Sequence, residues 1–553
     1  MSHFRRSSRT LAFVLGVMVA VALPGRARAQ FIYVNNNIGG TNSISGFSVG
    51  TGGTLTLLSG SPFLTGGGGS FSTNVGAASI VVTKQRLYAS NAITNTIAAF
   101  DINTDGSLTT IPGSPFPTLG TTVNGIAINS TGTMLFSAQF ASNQVSVFNI
   151  ASNGALTLVP STPFAVAAGP LDLQINPTNS LLFASQDTLG VGVYSIGGGG
   201  SLTAIGGSPF AAGGHERGLA IDAAATLLYV ADHTANTVSG FTIGGGGTLS
   251  VATGSPFGAG TGPSGVLFHP SLSVLYVSND GGVSGDIDAF SIGGGGALSA
   301  LGGSPFASGG VGTSGMVIDP AHKRLFAING SDNAGATRDV SVFTIGGTGA
   351  LTAVGGSPFS TGVGTGRPSS IVLASVCPAA QQSGCLTAAK SSLSIKNTTP
   401  DTKDTLTWKW SKGVPTTQDD FGLPVLTRTY ALCVYDTTGL VLSAEVSADA
   451  MCSTARGTVP CWSTVRFTGI KYKDKAGASD GVTAITCKGS TVNGKSSITF
   501  KGKGTNLPDP TLPLSGPVTA QFINTDSGIC FTGTYSGAGI TKNDGVQFKG
   551  KAP

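Results

Sequence analysis

From residue 31 to residue 374 the chain alternates short apolar runs with Gly-rich connectors and holds no sustained helical period. Residues 217–257 show the pattern most plainly. Residues 218–222, 227–232 and 249–251 read as short strands, and residues 237–243 alternate apolar with small or polar side chains, as a half-buried strand does. Four strands of this length make one propeller-type sheet. Connectors such as residues 244–247, all Gly, allow turns with positive φ at no steric cost.

The pattern repeats. Ser-Pro-Phe, once relaxed to Thr-Pro-Phe, recurs seven times with its aromatic at Phe63, Phe116, Phe164, Phe210, Phe257, Phe306 and Phe359. Spacings of about 48 residues lie in the range of propeller units. Pro has no amide to donate, so the motif is expected to mark the exit from the outer strand. The Phe is expected to pack between neighbouring units, where loss of a fully buried ring costs roughly 3–5 kcal/mol. At the ends, residues 31–35 match the second strand of a unit and residues 370–374 match a first strand. The expected fold is therefore all-β: a seven-bladed β-propeller over residues 31–374, closed by its N- and C-terminal strands so that exposed sheet edges are removed, followed by a β-sandwich-like domain over residues 375–553.

The unit resembles the YVTN repeat of lactonase-like seven-bladed propellers, through Tyr33-Val-Asn-Asn36, Tyr88-Ala-Ser-Asn91, Tyr229-Val-Ala-Asp232 and Tyr276-Val-Ser-Asn279, with weaker copies from Phe136, Phe183 and Phe326. That family includes lactone hydrolases, cyclases of sugar or aromatic acids, and secreted proteins with no known reaction. The resemblance implies His, Glu and Arg at a channel mouth. It thereby singles out His215, Glu216 and Arg217, just before an inner strand, and Arg367 at the comparable place in another unit, as candidate catalytic groups. His can act as a general base near neutral pH, and Arg can stabilise developing negative charge. Against this, adjacent residues on a strand point to opposite faces, so His215 and Glu216 address one substrate only from a loop.

Asp280, Asp286 and Asp288 offer oxygen ligands of the kind a calcium ion takes, at a spacing unlike the twelve-residue calcium loop; solvated loop acids are the simpler reading. No His-Glu-x-x-His, paired-cysteine zinc pattern, phosphate loop or dinucleotide fingerprint occurs, and no cofactor is expected.

Charge has to be divided by region. The first 29 residues carry five Arg, an apolar core over residues 11–23 and Ala27-Arg28-Ala29, which predict an export signal cleaved before Gln30. Residues 31–374 hold 7 basic and 13 acidic side chains, and residues 375–553 hold 18 and 12. No strongly basic surface for nucleic acid is expected, and no other apolar stretch is long enough to span a membrane. The protein is expected to be secreted or periplasmic, with possible attachment to the cell envelope.

All seven Cys lie between Cys377 and Cys530. In an exported chain they read as up to three disulfides and one spare thiol. Close spacing suggests Cys377–Cys385 and Cys452–Cys461, leaving Cys433–Cys530 as the long bridge and Cys487 free. The region resembles an uncharacterised module of secreted bacterial proteins through Tyr430-Ala-Leu-Cys-Val-Tyr-Asp436, Lys471-Tyr-Lys-Asp-Lys475 and Lys501-Gly-Lys-Gly-Thr-Asn-Leu-Pro508. That resemblance implies Leu at the place of Cys487 and brings no function. Trp408, Trp410 and Trp462 could form a glycan platform, but core packing is the simpler expectation. The functional expectation is a non-enzymatic binding or scaffold protein for an extracellular protein or glycan; the alternative is a lactonase-like hydrolase of sugar or aromatic acid lactones.

Overall fold

The computed structural model describes residues 30–552 except 71–78, 84–85, 104, 130–131, 152, 161, 223, 271, 283, 320–323, 331–336, 375–376, 378–380, 399–400, 422–429, 438, 447–450, 455–456, 466–467, 476, 478–479, 505–506, 509, 511 and 525–528. The expected export signal lies outside the described residues.

Residues 30–374 form seven antiparallel sheets of four or five strands, numbered here in chain order. Sheet 5 is typical: Glu216–Ile221, Leu227–Asp232, Thr237–Ile243 and Leu249–Val251 pair in sequence. The inner strands of sheets 2 to 7 are Ile80–Thr83, Val123–Ile128, Pro170–Ile175, Glu216–Ile221, Pro263–Phe268 and Thr313–Ile318. Sheet 1 takes its inner strand, Ser370–Ala374, from the far end of the region, with Phe31 opposite Ala374 and Asn35 opposite Ser370.

The expected closed seven-bladed propeller has to be corrected. No sheet is closed or curled on itself; strand-to-strand ladder pairing stops at the edges of each small sheet. The sheet edges are therefore not removed, as closure by the terminal strands was expected to do. What joins the sheets is side-chain packing. Each junction buries its own apolar cluster, as where Tyr88, Ile97 and Ile111 of sheet 2 meet Ile126, Leu135 and Phe148 of sheet 3. Sheet 7 packs against sheet 1 in the same way, through Phe326, Ile328, Val340 and Val342 against Ile32, Val34 and Phe47.

Polar groups then fix each junction. The Tyr of four units sends its hydroxyl into the following sheet, where it donates to a glycine carbonyl: Tyr33 to Gly106, Tyr88 to Gly154, Tyr229 to Gly296 and Tyr276 to Gly349, at 2.7–2.9 Å. The last residue of every second strand (Asn35, Asn91, Gln139, Gln186, Asp232, Asn279, Asn329) is polar and buried. Such residues tie neighbouring segments together, as where the Asn329 amide donates to Ser341 and the Ser239 hydroxyl donates to Asp232.

The Ser-Pro-Phe motif does more than end a strand. Its Ser or Thr hydroxyl accepts the amide of the residue fifteen positions earlier, on the third strand, in all seven units: Gly46, Ala99, Val147, Val193, Gly240, Ala289 and Val342 are the donors. The bond before each Pro is cis. In six units the Phe starts a two-residue strand that pairs back onto the third strand; Phe210 makes a single bridge to Val191. In six units, that of Phe63 excepted, the ring joins a junction cluster. It stays half-buried everywhere except at Phe257, so its loss costs less than the full core figure, nearer ~2 kcal/mol.

Residues 386–552 make an eight-stranded sheet in the order Trp462–Val465, Gly469–Lys473, Val482–Lys488, Ser496–Lys503, Thr405–Gly413, Ala388–Lys396, Gln547–Ala552, Ile540–Asn543, together with a four-stranded sheet, Gly439–Val446, Tyr430–Asp436, Val518–Asn524, Cys530–Tyr535. The two share one apolar core. Trp408 and Trp410 are wholly enclosed in it and Trp462 nearly so, which excludes the glycan platform. The Trp408 Nε1 donates to the Tyr535 hydroxyl at 2.9 Å. Disulfides join Cys377 to Cys433, Cys385 to Cys530 and Cys452 to Cys461. Two of the three bridges thus differ from those that close spacing suggested. Cys377 lies beside the strand Tyr430–Asp436, and the amide of Leu386 bonds the carbonyl of Cys530, so fold and not sequence distance chooses the partners. Cys487 is free and buried. No helix among the described residues is long and apolar enough to cross a membrane.

Candidate functional site

The inner strand of sheet 5 starts from a turn in which Gly214 and His215 both have positive φ, 102° and 52°. A left-handed backbone is costly for a residue with a Cβ, and its occurrence at His215 marks a position held by its surroundings. Glu216 pairs with Asp232, and a bulge follows before Leu219.

Because side chains alternate along this segment, His215 and Arg217 leave the sheet differently from Glu216. His215 Nδ1 lies 2.7 Å from Asp187 of sheet 4. Arg217 Nη1 donates to Asp280 Oδ2 of sheet 6 at 2.9 Å, and His233 Nε2 meets Asp280 Oδ1 at 2.8 Å. The amide of His233 donates to the His215 carbonyl at 3.2 Å. Asp187, His233 and Asp280 each follow a second strand, at the end where the inner strands begin, so three consecutive sheets are joined there by carboxylates paired with imidazole or guanidinium groups. Asp280 is the enclosed member, with its side chain 6% exposed, whereas the His215 side chain is 54% exposed.

Glu216 is fully buried on the other side. One of its oxygens accepts the Gly214 amide at 2.8 Å and the other has no partner. Facing it, Asp232 accepts bonds from Ser239, Thr237 and the Gly213 amide. Burial pushes the Asp232 carboxyl above its ordinary value, those bonds oppose the rise, and the Glu216 charge adds to it. Glu216 therefore stands apart from His215 and Arg217. Arg367 belongs to sheet 1, where its amide donates to the Asn36 carbonyl and the neighbouring Gly366 carbonyl accepts from Arg338 Nε at 2.8 Å; sheet 1 does not adjoin sheet 5.

Each of the three candidate calcium ligands is engaged by protein groups. Asp280 is engaged by Arg217 and His233 at the end where the inner strands begin. Asp286 and Asp288 stand on the strand Asp286–Ile292 and accept from the Asn279 amide at 2.6 and 2.9 Å, with Asp288 also capping the Gly260 amide. Among the described residues, no group of three or more His, Cys, Asp or Glu could hold a metal.

Asp172 escaped the sequence reading. Other inner strands have Gly or Ser at its place (Gly125, Gly218, Gly265, Gly315, Ser79, Ser370), which lets the next strand come close; a Cβ on Gly218 would lie 2.6 Å from the Ser264 carbonyl oxygen. The half-buried Asp172 instead places a carboxyl between sheets 4 and 5, accepting the amides of Leu173 at 2.9 Å and Leu219 at 3.2 Å. Burial pushes its pKa up to about 6 despite those two bonds.

Residues 26–169 match the family model described as lactonase, 7-bladed beta-propeller. Solved structures agree on the fold. A protein from Lactobacillus plantarum has a TM-score of 0.51 at 17% identity, over 63% of this chain and 99% of that one. A provisionally named 6-phosphogluconolactonase from Bacteroides uniformis gives 0.51 at 18%, over 63% and 100%. One from Bacteroides fragilis, also provisionally named, gives 0.50 at 17%, over 63% and 98%. These likenesses bear on the propeller-type, lactonase-like repeat fold. No curated protein matches the sequence. The disulfide-bonded region behind the repeats is a distinct Cys-rich module.

Proposed function

We propose that the mouth of sheets 4 to 6 hydrolyses lactones of sugar or aromatic acids, in a secreted or periplasmic protein. The observation that carries this is the Asp187–His215 pair. A carboxylate on Nδ1 fixes the imidazole orientation and leaves Nε2 as the nitrogen able to take a proton from water. Water so activated attacks the lactone carbonyl carbon, and Arg217 offsets the charge that grows on the carbonyl oxygen. As the ring C–O bond breaks, the imidazolium returns its proton to the departing alkoxide, giving the hydroxy acid. The N-terminal match to a lactonase model and the names of two structural neighbours support this class of substrate. The test is turnover of sugar and aromatic lactones by residues 30–553. Replacing His215→Ala should lower kcat/KM by about 100-fold or more, as loss of a general base does. A folded protein that turns over none of these lactones would end the hydrolase reading.

A second reading, a non-enzymatic binding or scaffold protein for an extracellular protein or glycan, is favoured by one observation. Glu216 is fully buried opposite Asp232, on the other side of the strand from His215 and Arg217. Unchanged ligand capture in a His215→Ala variant without turnover would support it.

A further inference from the structure

The eight strands of the large C-terminal sheet contain twelve Lys and no Asp, Glu or Arg. One face of this sheet carries Leu393, Trp408, Ile485, Phe500 and Phe548 into the core. Strand alternation puts the lysines on the other, except Lys412, which falls in the bulge between Ser411 and Gly413. The pairing registers arrange them in rows. Lys551, Ser392, Lys409, Thr499, Thr486, Lys471 and Ser463 stand opposite one another across seven strands. One step along the strands, Lys549, Ser394, Thr407, Lys501, Ala484 and Lys473 form a second row. A third runs Gln547, Lys396, Thr405, Lys503. Lysines within the first two rows are two or three strands apart, roughly 10–14 Å, and rows follow at about 7 Å.

Lys409, Lys471, Lys473, Lys501, Lys503, Lys549 and Lys551 are exposed. Among the described residues the ion pair on these strands is at the rim, between Lys542 and Asp544 at 3.2 Å. Among the described residues the inner lysines form no ion pair, so their charges repel one another. A positive field over a hydroxyl-lined face needs an anionic partner.

We propose that this face binds an acidic polysaccharide, its carboxylates meeting the lysines and its hydroxyls the intervening Ser and Thr. The side chains select that occupant. The outward rows hold no aromatic ring on which a nucleic-acid base could stack and no Arg for bidentate phosphate recognition. They hold no large apolar side chain to enter a lipid interface. Lysine with hydroxyl neighbours suits carboxylates spaced along a hydrated, extended polymer. The assignment is independent of any chemistry at the mouth of sheets 4 to 6.

Binding of residues 30–553 to polygalacturonate should be measured by calorimetry at 50 and 300 mM NaCl, against neutral dextran, duplex DNA and phosphatidylglycerol vesicles. The expected result is binding to polygalacturonate, none to dextran, and at least tenfold weakening at the higher salt as the charges are screened. The triple variant Lys409→Glu, Lys471→Glu, Lys501→Glu should weaken binding at least tenfold while retaining the fluorescence of its buried Trp. Should that variant misfold, the neutral triple Lys409→Gln, Lys471→Gln, Lys501→Gln should still lose at least threefold. No binding to polygalacturonate at 50 mM NaCl, binding untouched by the variants, or tighter binding to duplex DNA or vesicles would overturn the proposal.

Discussion

The hydroxyl of Tyr276 donates to the carbonyl of Gly349 at 2.8 Å, joining sheet 6 to sheet 7 across 73 residues of chain. Phe136, Phe183 and Phe326 show that the ring alone fills the equivalent space in other units. Tyr276→Phe should therefore keep the packing and lose the bond, at a cost of about 1 kcal/mol. The check is urea unfolding followed by near-ultraviolet circular dichroism: a lower midpoint at unchanged slope is expected, and an unmoved midpoint would show that the bond contributes nothing.

Ser255 accepts the Gly240 amide at 2.8 Å, and Thr162 performs the same task in sheet 3. Ser255→Ala strands an enclosed N–H and should cost about 1–3 kcal/mol, whereas Ser255→Thr should be tolerated. Comparing the two in thermal unfolding separates loss of the acceptor from disturbance of the turn; equal destabilisation by both would contradict the account.

Asp172 gives a pH dependence. Its carboxyl holds a proton up to about 6 in the folded chain, against 3.8 ordinarily. Between those values the folded state binds more protons than the unfolded one, so this group's contribution to stability is fully present below about pH 4 and is lost as pH rises through 6. Asp172→Asn removes that loss. The melting temperature of the variant relative to the parent should climb from pH 4 to pH 6 and then level. A difference independent of pH would show that Asp172 ionises normally.

Burial pushes the Cys487 thiol far above its ordinary range, and nothing reaches it from solvent. An aromatic disulfide reagent should detect no thiol in the folded protein and one per chain in denaturant without reductant. Prompt reaction before unfolding would refute this environment.

Local, periodic features were legible in the sequence, and contacts between units were not. The strands of residues 217–257 could be read because alternation and Gly turns are properties of adjacent residues. The hydroxyl of Ser255 could have been read further, since its partner lies fifteen residues back in every unit. The Asp187–His215 and Arg217–Asp280 pairs could not: their members sit 28 and 63 residues apart on different sheets, and no local pattern records which turns face each other. The cysteines failed for a related reason. Proximity in sequence suggested Cys377–Cys385, but these two approach different strands of the four-stranded sheet, Tyr430–Asp436 and Cys530–Tyr535. The lysines were visible as a modest excess; their segregation onto one face needed the registers.

Each Tyr-to-Gly bond points from one sheet to its successor and never back. A unit copied or deleted as a block would bring its own donor and find an acceptor glycine at the same offset in whichever unit follows. The array can thus change in length by duplication or loss without inventing a new contact, and the units with Phe136, Phe183 and Phe326 pack without the donor.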